Sequence, residues 1–366
     1  MADTESVRLS VPGKVILMGE HAAVYGRPAV VAAVDLRLEV EACVGSVAGG
    51  GGVHLDLPDI GVAEEHSWPE VVEFANRARR QWGAFRAGQE PFRASRDRSG
   101  LARIAVGEAM ASLAAAASAP LRERTLELRL RSAIPVGGGL GSSAAAAVGV
   151  VAAVRAVAGG VGGAEPDELS AIEAAALEVE RRQHGLPSGI DSVTVLRGGV
   201  LFVRVGECEL QFDDLPRPRW LRNGLSIVDS GTPGQTTGAV VTTVRKSYEE
   251  DPDGVAEVLD RIGTATEAFR EALIADRESQ ALAAIAAGHR GLVDLGVVPP
   301  AIARRVRRIE AAGGAAKTTG AGALEGESAG ALICMLGGRD SGTIEGLSDL
   351  APVDAPIGAD GLRFED

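Results

Sequence analysis

The stretch that most constrains this chain is Pro135-Val-Gly-Gly-Gly-Leu-Gly-Ser-Ser-Ala-Ala-Ala-Ala147. Four glycines crowd into five positions (Gly137, Gly138, Gly139, Gly141) and run into Ser142, Ser143 and an alanine-rich segment. Glycine takes positive φ without strain and lets backbone approach a ligand closely. Serine caps helix N-termini, where unpaired N–H groups and partial positive charge collect. Together they predict an anion site that suits nucleotide phosphates, with Leu140 as the one bulky residue inside it. No lysine follows these glycines, so the GxxxxGK[ST] pattern is absent, and GxGxxG is matched only imperfectly. A glycine-rich turn ahead of a core helix is the plainer use of the same residues.

The chain has 366 residues, enough for two domains sharing a cleft, and 46% of them are hydrophobic. A net charge of −13 argues against nucleic-acid or anionic-membrane partners, so an anionic substrate must be held by local donors or a metal ion. The three cysteines, Cys43, Cys208 and Cys334, are odd in number, widely spaced and without CxxC. That pattern fits a reducing, cytoplasmic setting and no thiolate metal site. No basic-led apolar leader is visible, and the longest apolar run, Ala144 to Ala158, contains Arg155 and reads as a buried helix. Only three lysines occur, Lys14, Lys246 and Lys317, and two of them lie in or beside glycine-rich loops.

In chain order, Val7 to Val11 reads as a strand, and Val15 to Met18 as a buried strand bracketed by Pro12-Gly13 and Gly19. Lys14 stands before it, and Glu20 and His21 follow it. Charges beside such a strand call for pairing or catalysis, although a surface hairpin would also carry them. Ala29 to Val44 is β-rich, Gly49 to Gly52 is a turn, Trp68 to Phe85 is amphipathic and Leu101 to Ala117 is helical. Leu126 to Ser132 alternates as a strand that delivers the glycine loop, and the following helix closes at Gly159-Gly160. A helix from Pro166 shows an apolar face of Leu169, Ile172, Ala176 and Val179, with Glu180 near its end and Gly185 as its stop. His184-Gly-Leu-Pro-Ser-Gly-Ile-Asp-Ser192 leads to a strand pair around Gly198-Gly199. Beyond it come a strand at Leu225 to Val228, a small-polar loop from Asp229 to Gly238 and helices near 255–275, 279–295 and 301–312. Last come a third glycine loop, Lys317-Thr-Thr-Gly-Ala-Gly322, and a strand from Ala331 to Leu336. The arginines between Arg304 and Arg308 read as a solvated helix face, His184 as a helix C-terminal cation, and Lys317 as a phosphate contact or a solvent-facing side chain.

These blocks, in this order, resemble the galactokinase–homoserine kinase–mevalonate kinase–phosphomevalonate kinase (GHMP) superfamily. Pro12-Gly-Lys-Val-Ile-Leu-Met-Gly-Glu-His-Ala-Ala-Val-Tyr-Gly26 and His184 to Asp191 look like the mevalonate kinase forms of two of its motifs, and Pro135 to Ala146 looks like its nucleotide-phosphate loop. The resemblance implies an α+β fold of two domains, here divided as 1–200 and 201–366, with the active site in the cleft between them. It implies ATP and Mg²⁺, and transfer of phosphate to the 5-hydroxyl of mevalonate in isoprenoid precursor synthesis; a homodimer is compatible with it. Asp191 then matches the catalytic base and Lys14 its electrostatic partner. Glu180, eleven residues before Asp191, matches a metal ligand together with Ser142 or Ser143, and Glu20 and His21 match the substrate end of the cleft. The chain departs from the family pattern in the third loop. Gly320-Ala-Gly322 continues into Ala323-Leu-Glu-Gly-Glu-Ser-Ala-Gly330 in place of further glycines, and the loop from Gly231 to Gly238 has no basic residue.

The residues suit phosphoryl transfer, which needs positioning and charge neutralisation more than a strong base. Bond formation acidifies the attacking hydroxyl late in the reaction, so a carboxylate at Asp191 can accept its proton then. Lys14 would stabilise negative charge on the hydroxyl oxygen. Other readings are a kinase for phosphomevalonate, homoserine or a sugar, a non-catalytic ligand sensor, and, more remotely, a glycine-loop oxidoreductase. A sensor need not keep Lys14, Glu180 and Asp191 together, and no strand–GxGxxG–helix unit opens the chain.

Overall fold

A computed structural model describes residues 5–45, 51–135, 137–159, 165–206, 210–337, 347 and 350–365. Cys208, Gly160, Val136 and the first half of the expected Gly49–Gly52 turn lie outside them.

The first sheet is built around a long antiparallel pair, β1 (Glu5–Met18) and β2 (Ala29–Gly45). β3 (Gly52–Leu57) and β4 (Val62–Ser67) form a hairpin, and β5 (Thr125–Ser132) lies antiparallel to β2 and parallel to β3. Between β4 and β5 run α1 (Trp68–Arg86), α2 (Gly100–Ser112) and α3 (Ala115–Arg122). α1 starts in a capping box in which Ser67 and Glu70 satisfy each other's backbone N–H groups. α4 (Ser142–Gly159), α5 (Pro166–His184) and α6 (Ile190–Arg197) lead to the hairpin β6 (Val200–Val205) and β7 (Leu210–Asp214), whose β6 pairs with β2.

α7 (Arg219–Gly224) precedes β8 (Leu225–Asp229), and α8 (Thr237–Glu250), α9 (Pro252–Ile274), α10 (Glu278–Asp294) and α11 (Pro300–Ala311) follow. β9 (Ala315–Thr318), β10 (Ala331–Met335) and β11 (Ala351–Val353) complete a second sheet in the order β11-β8-β10-β9. The tail then returns to the first sheet as β12 (Arg363–Glu365), antiparallel to β1. Arg37 holds it, donating to the Gly361 carbonyl (2.7 Å) and to Ser10 Oγ (2.8 Å).

α4 explains why its sequence is apolar on every side. Ala144, Val148, Val151 and Ala152 are sealed where the helix packs on β1 and β2 and against α2, α5 and α6. It is the one helix among the described residues long and apolar enough to cross a membrane, and 67% of it is buried within the fold. α11 shows the opposite pattern, burying Ile302, Val306 and Ile309 and exposing Arg304, Arg307 and Arg308.

Two local expectations need correction and a third needs a small shift. Val7–Val11 and Val15–Met18 are one strand, and Pro12-Gly13 is a register shift inside it; Pro12 lacks an N–H for the ladder, and a bulge absorbs that loss. The helix expected over Leu101–Ala117 breaks at Leu113 and Ala114, which are extended. There Arg155 takes the Ser112 carbonyl (3.2 Å) and hydroxyl (2.7 Å), so the end of α2 is satisfied from outside. The strand pair expected around Gly198-Gly199 lies just beyond them: Gly198 terminates α6, its N–H bonded to Thr194 O at 2.9 Å, and the β6–β7 hairpin starts at Val200.

Candidate active site

Lys14 sits on β1 just past the bulge, and its backbone N–H donates to the Leu140 carbonyl at 2.8 Å. The first strand therefore holds the glycine loop directly. The approach tolerates no side chain at two positions. A Cβ on Gly13 would stand 2.7 Å from Leu140 O, and one on Gly141, at φ +86, would stand 2.7 Å from Lys14 Cγ. Asp191 arrives from the other side, in the first turn of α6. Lys14 Nζ lies 3.1 Å from Asp191 Oδ1. The lysine side chain is 7% exposed and the aspartate 40%, so the ammonium is covered while the carboxylate opens toward solvent.

Glu180 lies in the last turns of α5 and is buried. Burial pushes its carboxyl up to about 8, the charge of Asp191 adds to the rise, and Lys14 opposes it. No cluster of three or more His, Cys, Asp or Glu side chains able to hold a metal occurs among the described residues. A cation here would draw on the Glu180 carboxylate and complete its shell from a serine hydroxyl, water and nucleotide phosphate, the set that Mg²⁺ favours. A buried carboxylate that resists ionising without a counter-charge fits such an ion. His184, exposed at the end of α5, feels the charges of Asp191 and Lys14: desolvation lowers its pKa and Asp191 pulls it up. Its reach to this pair is a signal that the sequence position at a helix end did not carry.

Two cavities flank the glycine loop. One, of about 220 Å³, is walled by Leu38, Leu57, Ile60, Leu101 and Leu130 and reaches Ser142 and Ser143 at the start of α4. The other, of about 360 Å³, lies between Gly137–Gly139 on one side and Thr232–Thr237, Thr319, Ala321 and Gly322 on the other. The first is mostly apolar, with Asp59, Arg98 and Ser132 also lining it, and would suit a base; the second is lined by backbone and hydroxyls and would suit phosphates. The unusual extension of the third loop is tied back, with Gly330 N–H donating to Gly231 O (3.0 Å) and Gln235 Nε2 to Glu325 Oε1 (3.3 Å). Glu325 and Glu327 are exposed, and neither lines the second cavity.

Glu20 and His21 follow β1 and are both buried. His21 takes a left-handed backbone (φ 58) and its Nε2–H donates to Ala321 O at 3.0 Å, which leaves Nδ1 as the acceptor. Burial holds its pKa below the ordinary value. Glu20 is ion-paired with Lys317, and both side chains are 1% exposed. Lys317 therefore neither lines the second cavity nor faces solvent, so it takes neither of the two roles its position in the loop suggested. The sequence signal for this pair was available in the scarcity of lysine, but a partner 297 residues away is not visible along the chain.

A sheet that clamps a glycine loop onto a helix N-terminus, with a lysine–aspartate pair beside it, defines a GHMP-type kinase. Residues 105–199 match the family profile described as GHMP kinases N terminal domain. The chain is 30% identical over 371 residues to "Mevalonate kinase" of Thermococcus sibiricus, covering 98% of each. Among solved structures it is similar to "Methanococcus jannaschii Mevalonate Kinase" (TM-score 0.72, 22% identity, 96% of this chain and 98% of that one). It is similar also to "L. major mevalonate kinase in complex with R-mevalonate" (TM-score 0.67, 18% identity, 98% of each chain). The chain belongs to the mevalonate kinase family of the GHMP superfamily and is an ATP-dependent kinase with that α+β fold.

Proposed function

We propose that this enzyme transfers the terminal phosphate of ATP to the 5-hydroxyl of mevalonate, giving 5-phosphomevalonate, in a cleft between the parts of the chain built on the first sheet and on the second; β6, β7 and β12 belong to the first, so the 1–200 and 201–366 division cuts inside β6. The observation that carries the reading is the Lys14–Asp191 pair at 3.1 Å, next to the glycine loop that Lys14 itself anchors. The relatives' names supply the alcohol.

In this reading the amides of Gly137, Gly138, Gly139 and Gly141 receive the phosphates, and Leu140 is buried beneath them as the plug that fixes the loop. Glu180 and a hydroxyl of Ser142 or Ser143 would hold Mg²⁺, which when bound neutralises charge on the nucleotide phosphates. Lys14 lowers the energy of the attacking oxygen as it gains negative charge, and Asp191 Oδ accepts its proton as the new P–O bond forms. His21 closes the alcohol end of the cleft, presenting Nδ1 as a neutral acceptor, while Glu20, sealed in its pair with Lys317, braces the wall from behind and touches no substrate.

The test is ADP release coupled to NADH oxidation, with mevalonate, phosphomevalonate, homoserine and galactose offered in parallel. The reading requires that mevalonate give the highest kcat/KM of the four. Turnover with mevalonate no faster than with the other alcohols contradicts it.

A further inference from the structure

We infer that Lys317 is a positioning residue for the nucleotide: its ion pair with Glu20 locks the end of β1 to the third glycine loop and so sets the far wall of the phosphate cleft. Four contacts join these two short segments. Lys317 pairs with Glu20; Ile16 N–H donates to Thr319 Oγ1 (3.1 Å), whose hydroxyl donates back to Ile16 O (2.9 Å); and His21 Nε2–H donates to Ala321 O (3.0 Å). Lys317 also donates to the Thr318 carbonyl at 2.9 Å, so its ammonium stiffens the loop as well as reaching across. Thr319 and Ala321 line the cavity opposite Gly137–Gly139, while Lys14, on the same strand as Ile16, anchors the glycine loop through Leu140. Both walls of the cleft are thereby hung from one strand, and the Lys317–Glu20 pair is the charged joint between them.

The joint is sensitive because both partners are sealed from water. Breaking one half of a buried ion pair leaves the other charge uncompensated, whereas removing both halves is far milder. Burial raises the Glu20 carboxyl, and Lys317, then Lys14, pull it back. The other titratable groups facing this joint are His21 beside Glu20 and His289 on α10, which packs against Lys317 and is pushed down to about 4 by burial and by that charge. With Lys317 gone, Glu20 stays protonated to higher pH. The cleft then tolerates it while neutral and is disturbed as it ionises, so the defect grows as pH rises.

The inference rests on reading this cavity as the phosphate site, and calorimetric binding of Mg·ATP reads it without any alcohol. Lys317→Met is expected to weaken Mg·ATP binding about ten-fold or more, increasingly so at higher pH. Lys317→Met with Glu20→Gln is expected to bind within about three-fold of wild type and to lose that added pH dependence. A purely structural role predicts melting temperatures that are coupled between the two sites with nucleotide affinity unmoved, and that result, or equal affinity loss in the single and double variants, overturns the inference. Failure of wild type to phosphorylate mevalonate would sink the functional reading above and leave this measurement to stand or fall by itself.

Discussion

Glu180 and Asp191 lie within electrostatic reach of one another, and their surroundings divide them. Asp191 is open and ion-paired; Glu180 is buried and raised to about 8 from 4.5. The folded protein therefore retains the Glu180 proton over a range where the unfolded chain has lost it. That group costs no stability below about pH 4.5 and costs progressively more as pH climbs toward 8 without a metal. Thermal melts of metal-free protein should fall with pH across this window, and Glu180→Gln should flatten the decline. Adding Mg²⁺ with a non-hydrolysable nucleotide should raise the wild-type melting temperature more near the top of the window than at its foot, because the ion competes with the proton. Parallel pH profiles for wild type and Glu180→Gln would remove Glu180 from the metal site.

The glycine loop, β1 and α6 are the elements on which the site depends, and they differ in how far the sequence disclosed them. Composition and helix-start chemistry placed α4 and the loop correctly, because glycine runs and an all-apolar helix each have one economical use. α6 was not foreseen as a helix. Its start depends on Gly189 turning left-handed, and its interior, Ser192 to Leu196, is buried against neighbours that local pattern does not reveal. The tight fit between Gly141 and Lys14 was equally invisible, since it joins residues far apart in the chain. Gly141→Ala should cost ~1–3 kcal/mol in strain at its left-handed backbone, and it should displace Lys14 by crowding Cγ. Differential scanning calorimetry reads the first effect and kcat the second; a stable variant of normal kcat would show that the contact yields freely.

At the scale of the molecule, β1 is bonded to both the first and the third glycine loop, and the chain's last strand returns to pair with that same element. Deleting residues 359–365 would bare the β1 edge and strip Arg37 of its Gly361 acceptor, so melting temperature and solubility should both fall. An unchanged melting curve would contradict the role given to the tail. The net charge of −13 repels anionic substrates at long range, so kcat/KM should rise modestly as added salt screens it, measured at fixed free Mg²⁺. The central claim concerns what the Lys14–Asp191 pair does with a hydroxyl once the nucleotide is in place. The most direct measurement is single-turnover formation of the phosphate ester, followed by ³¹P NMR in wild type and in Asp191→Asn, with Mg·ATP affinity determined for both. The prediction is a loss of rate of about 10²–10⁴-fold with affinity unchanged. Ester formation by the variant at close to the wild-type rate would contradict it.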